Sequence, residues 1–140
     1  MPILSAMQIL VSDDEAPIAE LLSSVCARGG HQVAIETSPA GVLRHLQRRA
    51  VDLLLVDLDM TDPGGLDLLR AARAVQADLP IVATTTHVSR YLPEEVIAAG
   101  AIDLLCKPFT MDELAIRIAL LEERLRYVQD LAAHLGGQRR

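Results

Sequence analysis

At 140 residues the chain has room for one domain of ordinary size, able to bury roughly two thirds of the surface its unfolded form would expose. Hydrophobic residues make up 51%, yet Trp is absent and only one Phe and two Tyr occur, so the core is aliphatic. A formal net charge of −6 argues against nucleic-acid binding by this chain, and it gives no reason to expect attachment to an anionic membrane.

The two cysteines, Cys26 and Cys106, lie far apart and form no CxxC pair, which points to a reduced intracellular protein. Met1 to Ala6 is too short and too uncharged for a signal peptide. No apolar run approaches the roughly 18 residues of a membrane span. A cytoplasmic location is expected.

Apolar runs alternate with amphipathic stretches along the chain. Gln8 to Val11 reads as a strand running into Ser12, Asp13, Asp14 and Glu15. Pro17 to Arg28 reads as a helix with Ile18, Leu21, Leu22 and Val25 on one face, stopped by Gly29 and Gly30. Gln32 to Ile35 is a second strand. Ser38 caps a helix to about Arg49, with Val42, His45 and Leu46 inward. Asp52 to Val56 is the clearest strand, with Asp57 at its carboxyl end and a polar loop, Leu58 to Gly65, beyond it. Leu66 to Val75 is helical. Pro80 to Ala83 is a fourth strand closing on Thr84, Thr85 and Thr86. Glu94 to Ala99 is a short helix ended by Gly100, and Ile102 to Cys106 a fifth strand. Thr110 opens the last helix, with Glu113 completing a capping box. The result is an α/β domain with a single (βα)5 doubly wound parallel sheet.

In such a sheet ligands bind beyond the carboxyl ends of the strands. Those ends carry Asp13 and Asp14, Asp57, Thr84 and Thr85, and Lys107 before Pro108; Glu36 and Thr37, after the second strand, carry no clear role. Each alone is an ordinary turn former or surface residue. Together they set three carboxylates, a hydroxyl and an ammonium on one edge. Crowded carboxylates repel unless a cation intervenes, and hard oxygen ligands suit Mg²⁺. A carboxylate beside Mg²⁺ can act as a nucleophile toward a phosphoryl group, with Lys107 neutralising and Thr85 donating to its oxygens.

Four segments resemble the receiver domains of two-component response regulators, over about residues 7 to 127: QILVSDDE, DLLLVDLDMTDPGGLDLL, PIVATTTH and AGAIDLLCKPF. The resemblance implies a flavodoxin-like sheet in the order 2-1-3-4-5 and a signalling switch rather than an enzyme acting on an outside substrate. It implies Asp57 as phosphoacceptor, with Thr85 and Lys107 gripping the phosphoryl oxygens. It implies Mg²⁺ held by Asp13, Asp14, Asp57 and the backbone carbonyl of Asp59, with Asp14 the more direct ligand of the acidic pair. The implied partner is a sensor histidine kinase or phosphotransfer protein. Three features depart from the family pattern. Thr61 stands where Pro is usual, Leu104 where Tyr or Phe is usual, and Asp59 and His87 fill the two variable positions that tune phosphoryl lifetime.

The run Asp57-Leu58-Asp59-Met60-Thr61 is also similar to the DxDxT motif of haloacid-dehalogenase-type phosphatases, but only Asp103 offers a later metal carboxylate and there is no room for a cap. A third reading is a receiver-like docking module that is never phosphorylated. On the plainest expectation Asp59 points into solvent.

The receiver portion is expected over residues 1–127, with 128–140 an extension of the last helix or a linker. Leu114, Ile118, Leu121, Leu125, Val128, Ala132 and Leu135 repeat at spacings of four and three, a heptad seam, while Ile116 and Leu120 lie on another face. The seam fits either a long core helix or a homodimer through the last helix. Gly136 and Gly137 are expected to end it.

Overall fold

The computed structural model describes residues 6–60, 64–86 and 90–138. In chain order the elements are β1 (Gln8–Ser12), α1 (Ala16–Arg28), β2 (Gln32–Glu36), α2 (Pro39–Arg48), β3 (Leu53–Asp57), α3 (Gly65–Val75), β4 (Ile81–Thr85), α4 (Pro93–Ala98), β5 (Asp103–Cys106) and α5 (Met111–Gln138). The strands form one sheet in the order β2-β1-β3-β4-β5, every pair parallel. The order changes direction after β1, so β1 and β3 are neighbours with their helices on opposite faces.

Alternation along each strand divides the core in two. Ile9, Val11, Leu53, Leu55 and Val82 pack with Leu22, Val25, Leu114, Ile118 and Leu121 of α1 and α5. Leu10, Leu54, Val56, Ile81 and Ala83 pack on the other face with Val42, Leu46, Leu68, Leu69, Ala72 and Val96 of α2, α3 and α4. All five residues of β3 are buried, as befits the middle strand of a sheet covered twice.

Helix starts and stops follow local chemistry. Ser38 accepts from the Gly41 amide at the head of α2, and Thr110 from the Glu113 amide at the head of α5. Gly29 caps α1 and Gly30 turns to φ 89°; Gly100 takes φ 122° just after α4. At the start of α3, a Cβ on Gly65 would lie 2.6 Å from the Leu58 carbonyl oxygen, so glycine alone lets that helix sit against the loop after β3.

Most element ends shift from expectation by a residue, and three of the differences bear on the site or the last helix. β4 runs two residues further, through Thr84 and Thr85, because their carbonyls accept from the Leu58 and Lys107 amides and β-branched residues suit a strand. β5 begins at Asp103 rather than Ile102. And α5 continues past Gly136 and Gly137 to Gln138. A glycine in a last turn costs about 1 kcal/mol relative to Ala but keeps its backbone amide, so it ends a helix only where the chain turns away.

The heptad seam of α5 splits. Leu114, Ile118 and Leu121 are buried and Leu125 partly so, whereas Val128 and Leu135 stand 53% and 47% exposed; Ile116 and Leu120 are also exposed. Leu121→Ala is therefore expected to lower stability by about 2–4 kcal/mol in urea denaturation, and Leu135→Ala by less than about 0.5 kcal/mol. Equal losses would contradict this division of the helix.

Candidate functional site

Five strands ending on one edge bring the polar residues together. Asp13 follows β1, Asp57 ends β3, Thr85 ends β4 and Lys107 follows β5, joined to Pro108 by a cis peptide bond. Asp13, Asp57, Thr85 and Lys107 are all buried; Asp14 and Glu15 are exposed.

The Lys107 ammonium is the hub. It donates to Asp13 Oδ2 at 2.8 Å, and stands 3.5 Å from Asp57 Oδ2 and 3.7 Å from Glu15 Oε1. Burial pushes the lysine down, but the Asp13 hydrogen bond and the charges of Asp57, Asp13 and Glu15 outweigh it, leaving Lys107 above the usual lysine value. It is a fixed cation.

Asp57 has one engaged oxygen and one open one. Oδ1 accepts from the Asp59 amide at 2.8 Å, a turn that fixes the carboxylate's orientation. Oδ2 is buried and, among the described residues, accepts no hydrogen bond; the Lys107 ammonium stands 3.5 Å from it. Burial pushes the carboxyl up from 3.8 to about 6, Asp13 and Asp59 add to this, and the Asp59 amide and Lys107 oppose it. The loop after Asp57 is pinned from both sides: Ser12 Oγ donates to Met60 Sδ at 3.1 Å, and Tyr91 Oη donates to the Leu58 carbonyl at 3.0 Å.

Asp13, Asp14, Glu15 and Asp57 each offer a carboxylate oxygen, all within 4.8 Å of one another. This donor set of hard oxygens, with one buried oxygen on Asp57 unsatisfied, fits a divalent cation such as Mg²⁺. Glu15 is an addition to the residues singled out from sequence; its place in the run Asp13-Asp14-Glu15 was the available signal. Asp103, the carboxylate a phosphatase reading needs, instead pairs with Arg117 at 2.9 Å and is not in this cluster.

The largest departure concerns Asp59. Its carboxylate does not point into solvent. Oδ1 accepts the Thr85 hydroxyl at 2.8 Å, and Oδ2 accepts the Thr86 amide at 2.8 Å and the Thr86 hydroxyl at 2.9 Å. Leu104 and Tyr91 are each partly buried against the same core cluster, and Tyr91, from the segment after β4, reaches the loop after β3 through its hydroxyl. Thr61 and His87 lie outside the described residues.

A doubly wound sheet with an acidic cluster, a buried lysine and one open carboxylate oxygen at its switch edge defines a small α/β domain with a candidate cation site. The chain matches the response regulator receiver domain family over residues 9–119 and belongs to it. It is 33% identical over 118 residues to the transcriptional regulatory protein PhoP of Escherichia coli (strain K12), covering 84% of this chain and 53% of that protein. It thus spans about half the length of that relative, and 29% of the transcriptional regulatory protein ZraR of Salmonella typhimurium, to which it is 30% identical. Among solved structures, the receiver domain of the Francisella response regulator 1452 superposes with a TM-score of 0.75 at 26% identity, covering 84% of this chain and 98% of that one. NtrX from Brucella abortus gives 0.82 at 26% identity, covering 91% and 29%. Among the described residues no helix is long and apolar enough to cross a membrane.

The raised Asp57 carboxyl has a consequence for stability. A group with a folded-state pKa above its unfolded one contributes stability that is full below the unfolded value and is lost as pH rises through the folded value. Asp57 thus favours folding below about pH 4 and loses that contribution as pH passes about 6. In a chelating buffer Asp57→Asn is expected to exceed wild type by on the order of 2 kcal/mol near pH 8, with the gap closing toward pH 4. Urea denaturation across that range checks it; a constant gap would refute the cause given.

Proposed function

We propose that the chain is a phosphorylatable switch in which Asp57 accepts a phosphoryl group from the phosphohistidine of a sensor histidine kinase or phosphotransfer protein, in a Mg²⁺-dependent step. The observation that carries this reading is the buried, unsatisfied Oδ2 of Asp57, set 3.5 Å from the Lys107 ammonium at the rim of the acidic cluster. Oδ2 forms the new O–P bond while the P–N bond to the donor imidazole breaks. The imidazole keeps the bonding electron pair and takes up a proton.

The residues that would hold Mg²⁺ are Asp13, Asp14, Asp57 and the Asp59 carbonyl, with Glu15 beside them. The bound ion would supply positive charge for the acceptor carboxylate and the phosphoryl oxygens. Asp57 reacts as its carboxylate, and the Asp59 amide holds it in one orientation. Lys107 neutralises charge gathering on the transferred oxygens. Thr85 donates its hydroxyl to one of them once that hydroxyl leaves Asp59. The modification is made on the protein itself, and no outside substrate is turned over. The altered strand ends then control an output in the cytoplasm, without direct contact to nucleic acid or membrane.

In this reading residues 1–127 are the receiver and 128–140 extend its last helix. Val128, Leu131 and Leu135, all exposed on that extension, supply an apolar strip for a homodimer. The docking-module and phosphatase readings draw less support: Asp13, Asp57, Thr85 and Lys107 gather at one edge beside an acidic cluster, and Asp103 pairs with Arg117.

Incubation with acetyl phosphate and Mg²⁺ followed by mass spectrometry is expected to show a gain of one phosphoryl group, absent in Asp57→Asn and without Mg²⁺. No gain, together with no beryllofluoride binding, would overturn the proposal.

A further inference from the structure

The end of β4 presents three donors in a row: the Thr85 hydroxyl, the Thr86 amide and the Thr86 hydroxyl. All three are spent on one carboxylate, that of Asp59. Both oxygens are engaged, at 2.8, 2.8 and 2.9 Å, well within ordinary hydrogen-bond range. The same residue's amide donates to Asp57 Oδ1 at 2.8 Å. Asp59 therefore links the acceptor at the end of β3 to the donors at the end of β4. Its main chain holds one and its side chain the other.

We propose that Asp59 is a positioning residue that occupies these donors as an internal substitute for the phosphoryl group, so that anion capture at Asp57 requires displacing its carboxylate. The proposal rests on Asp57 being the acceptor. A carboxylate and a phosphoryl group both present oxygens that want N–H and O–H donors, so they compete for one set. While Asp59 holds the set, Thr85 is fixed beside it and Thr86 is tethered with it. When an anion on Asp57 takes Thr85, the Asp59 side chain is released and the tether opens with it. The contact thus opposes loading of the site and ties the release of Thr86 to that loading.

An alternative cause for any effect of Asp59 is plain repulsion: its charge lies near Asp57 whether or not it bonds to threonine. Thr86 separates the two. It is exposed, carries no charge, and contributes its hydroxyl to the contact.

The test is titration of beryllofluoride at saturating Mg²⁺ against wild type, Asp59→Asn, Thr86→Ala and the double variant. Tighter binding by about tenfold in Asp59→Asn and about threefold in Thr86→Ala is expected, with Thr86→Ala adding nothing once Asp59 is replaced. Wild-type affinity in Thr86→Ala, or additive effects in the double variant, would overturn the proposal in favour of repulsion. Hydrogen exchange without ligand reads the contact itself: the Thr86 amide is expected to be protected in wild type and to exchange faster in Asp59→Asn. Equal exchange in the two would also overturn it. Failure of every variant, wild type included, to bind beryllofluoride would instead remove Asp57 as acceptor, and the competition with it, whatever the exchange rates show.

Discussion

The site depends on one buried ion pair, Lys107 with Asp13, and on that ammonium standing 3.5 Å from Asp57. Two carboxylates and one amine with 0–3% side-chain exposure have given up nearly all their water. That desolvation is repaid only by close mutual geometry. Lysine suits the place because a compact charge on a long flexible stem can cross from the end of β5, past β4 and β3, to the end of β1. Removing it would leave Asp13 and Asp57 as uncompensated buried charges. Four carboxylates around one ammonium still leave the cluster net acidic, and this residual charge is what makes the edge attractive to a cation.

The pair also leaves its members able to exchange partners. Lys107 is bonded to Asp13 and only near Asp57, so the buried Oδ2 of Asp57 accepts no hydrogen bond while the lysine is held within reach. Thr85 is in a similar position on the other side, committed to Asp59 but next to β3. Neither donor is idle, and each has a carboxylate partner to exchange for another anion. Exchanging partners costs far less than recruiting an unpaired group, because a buried donor left alone carries its whole desolvation penalty.

Much of this was legible from residue order. Strand ends are legible because apolar runs stop abruptly at polar residues, and a parallel sheet puts every such end on the same edge. Asp13, Asp57, Thr85 and Lys107 were therefore recoverable without coordinates. The reach of Asp59 was not. Whether a carboxylate two residues past a strand turns outward or across to the next strand depends on the turn that Asp57 Oδ1 makes with its amide, and on β4 running far enough to meet it. The extra length of β4 was hidden for a related reason: Thr84 and Thr85 are polar, and burial of polar residues is visible only once their partners are. Tyr91 was missed because a single aromatic after a polar stretch has no periodicity to reveal the face it covers.

The last helix shows how one sequence pattern can serve two surroundings. A 28-residue helix measures about 42 Å, whereas five-residue strands span roughly 17 Å. No sheet of this depth can cover such a helix along its whole length. The seam continues past that limit without a change of spacing, since the heptad repeat carries no information about where the partner ends. Burial does: it falls from Leu121 at 4% exposed to Val128 at 53%. The overhanging turns have no sheet beneath them and bury little of their own surface. Short helices are marginal in water when nothing packs on them, so the extension's persistence rests on continuity with the turns held at Leu114, Ile118 and Leu121. A change that loosens those three contacts would therefore reach the exposed strip through the helix itself, with no other contact needed to carry it.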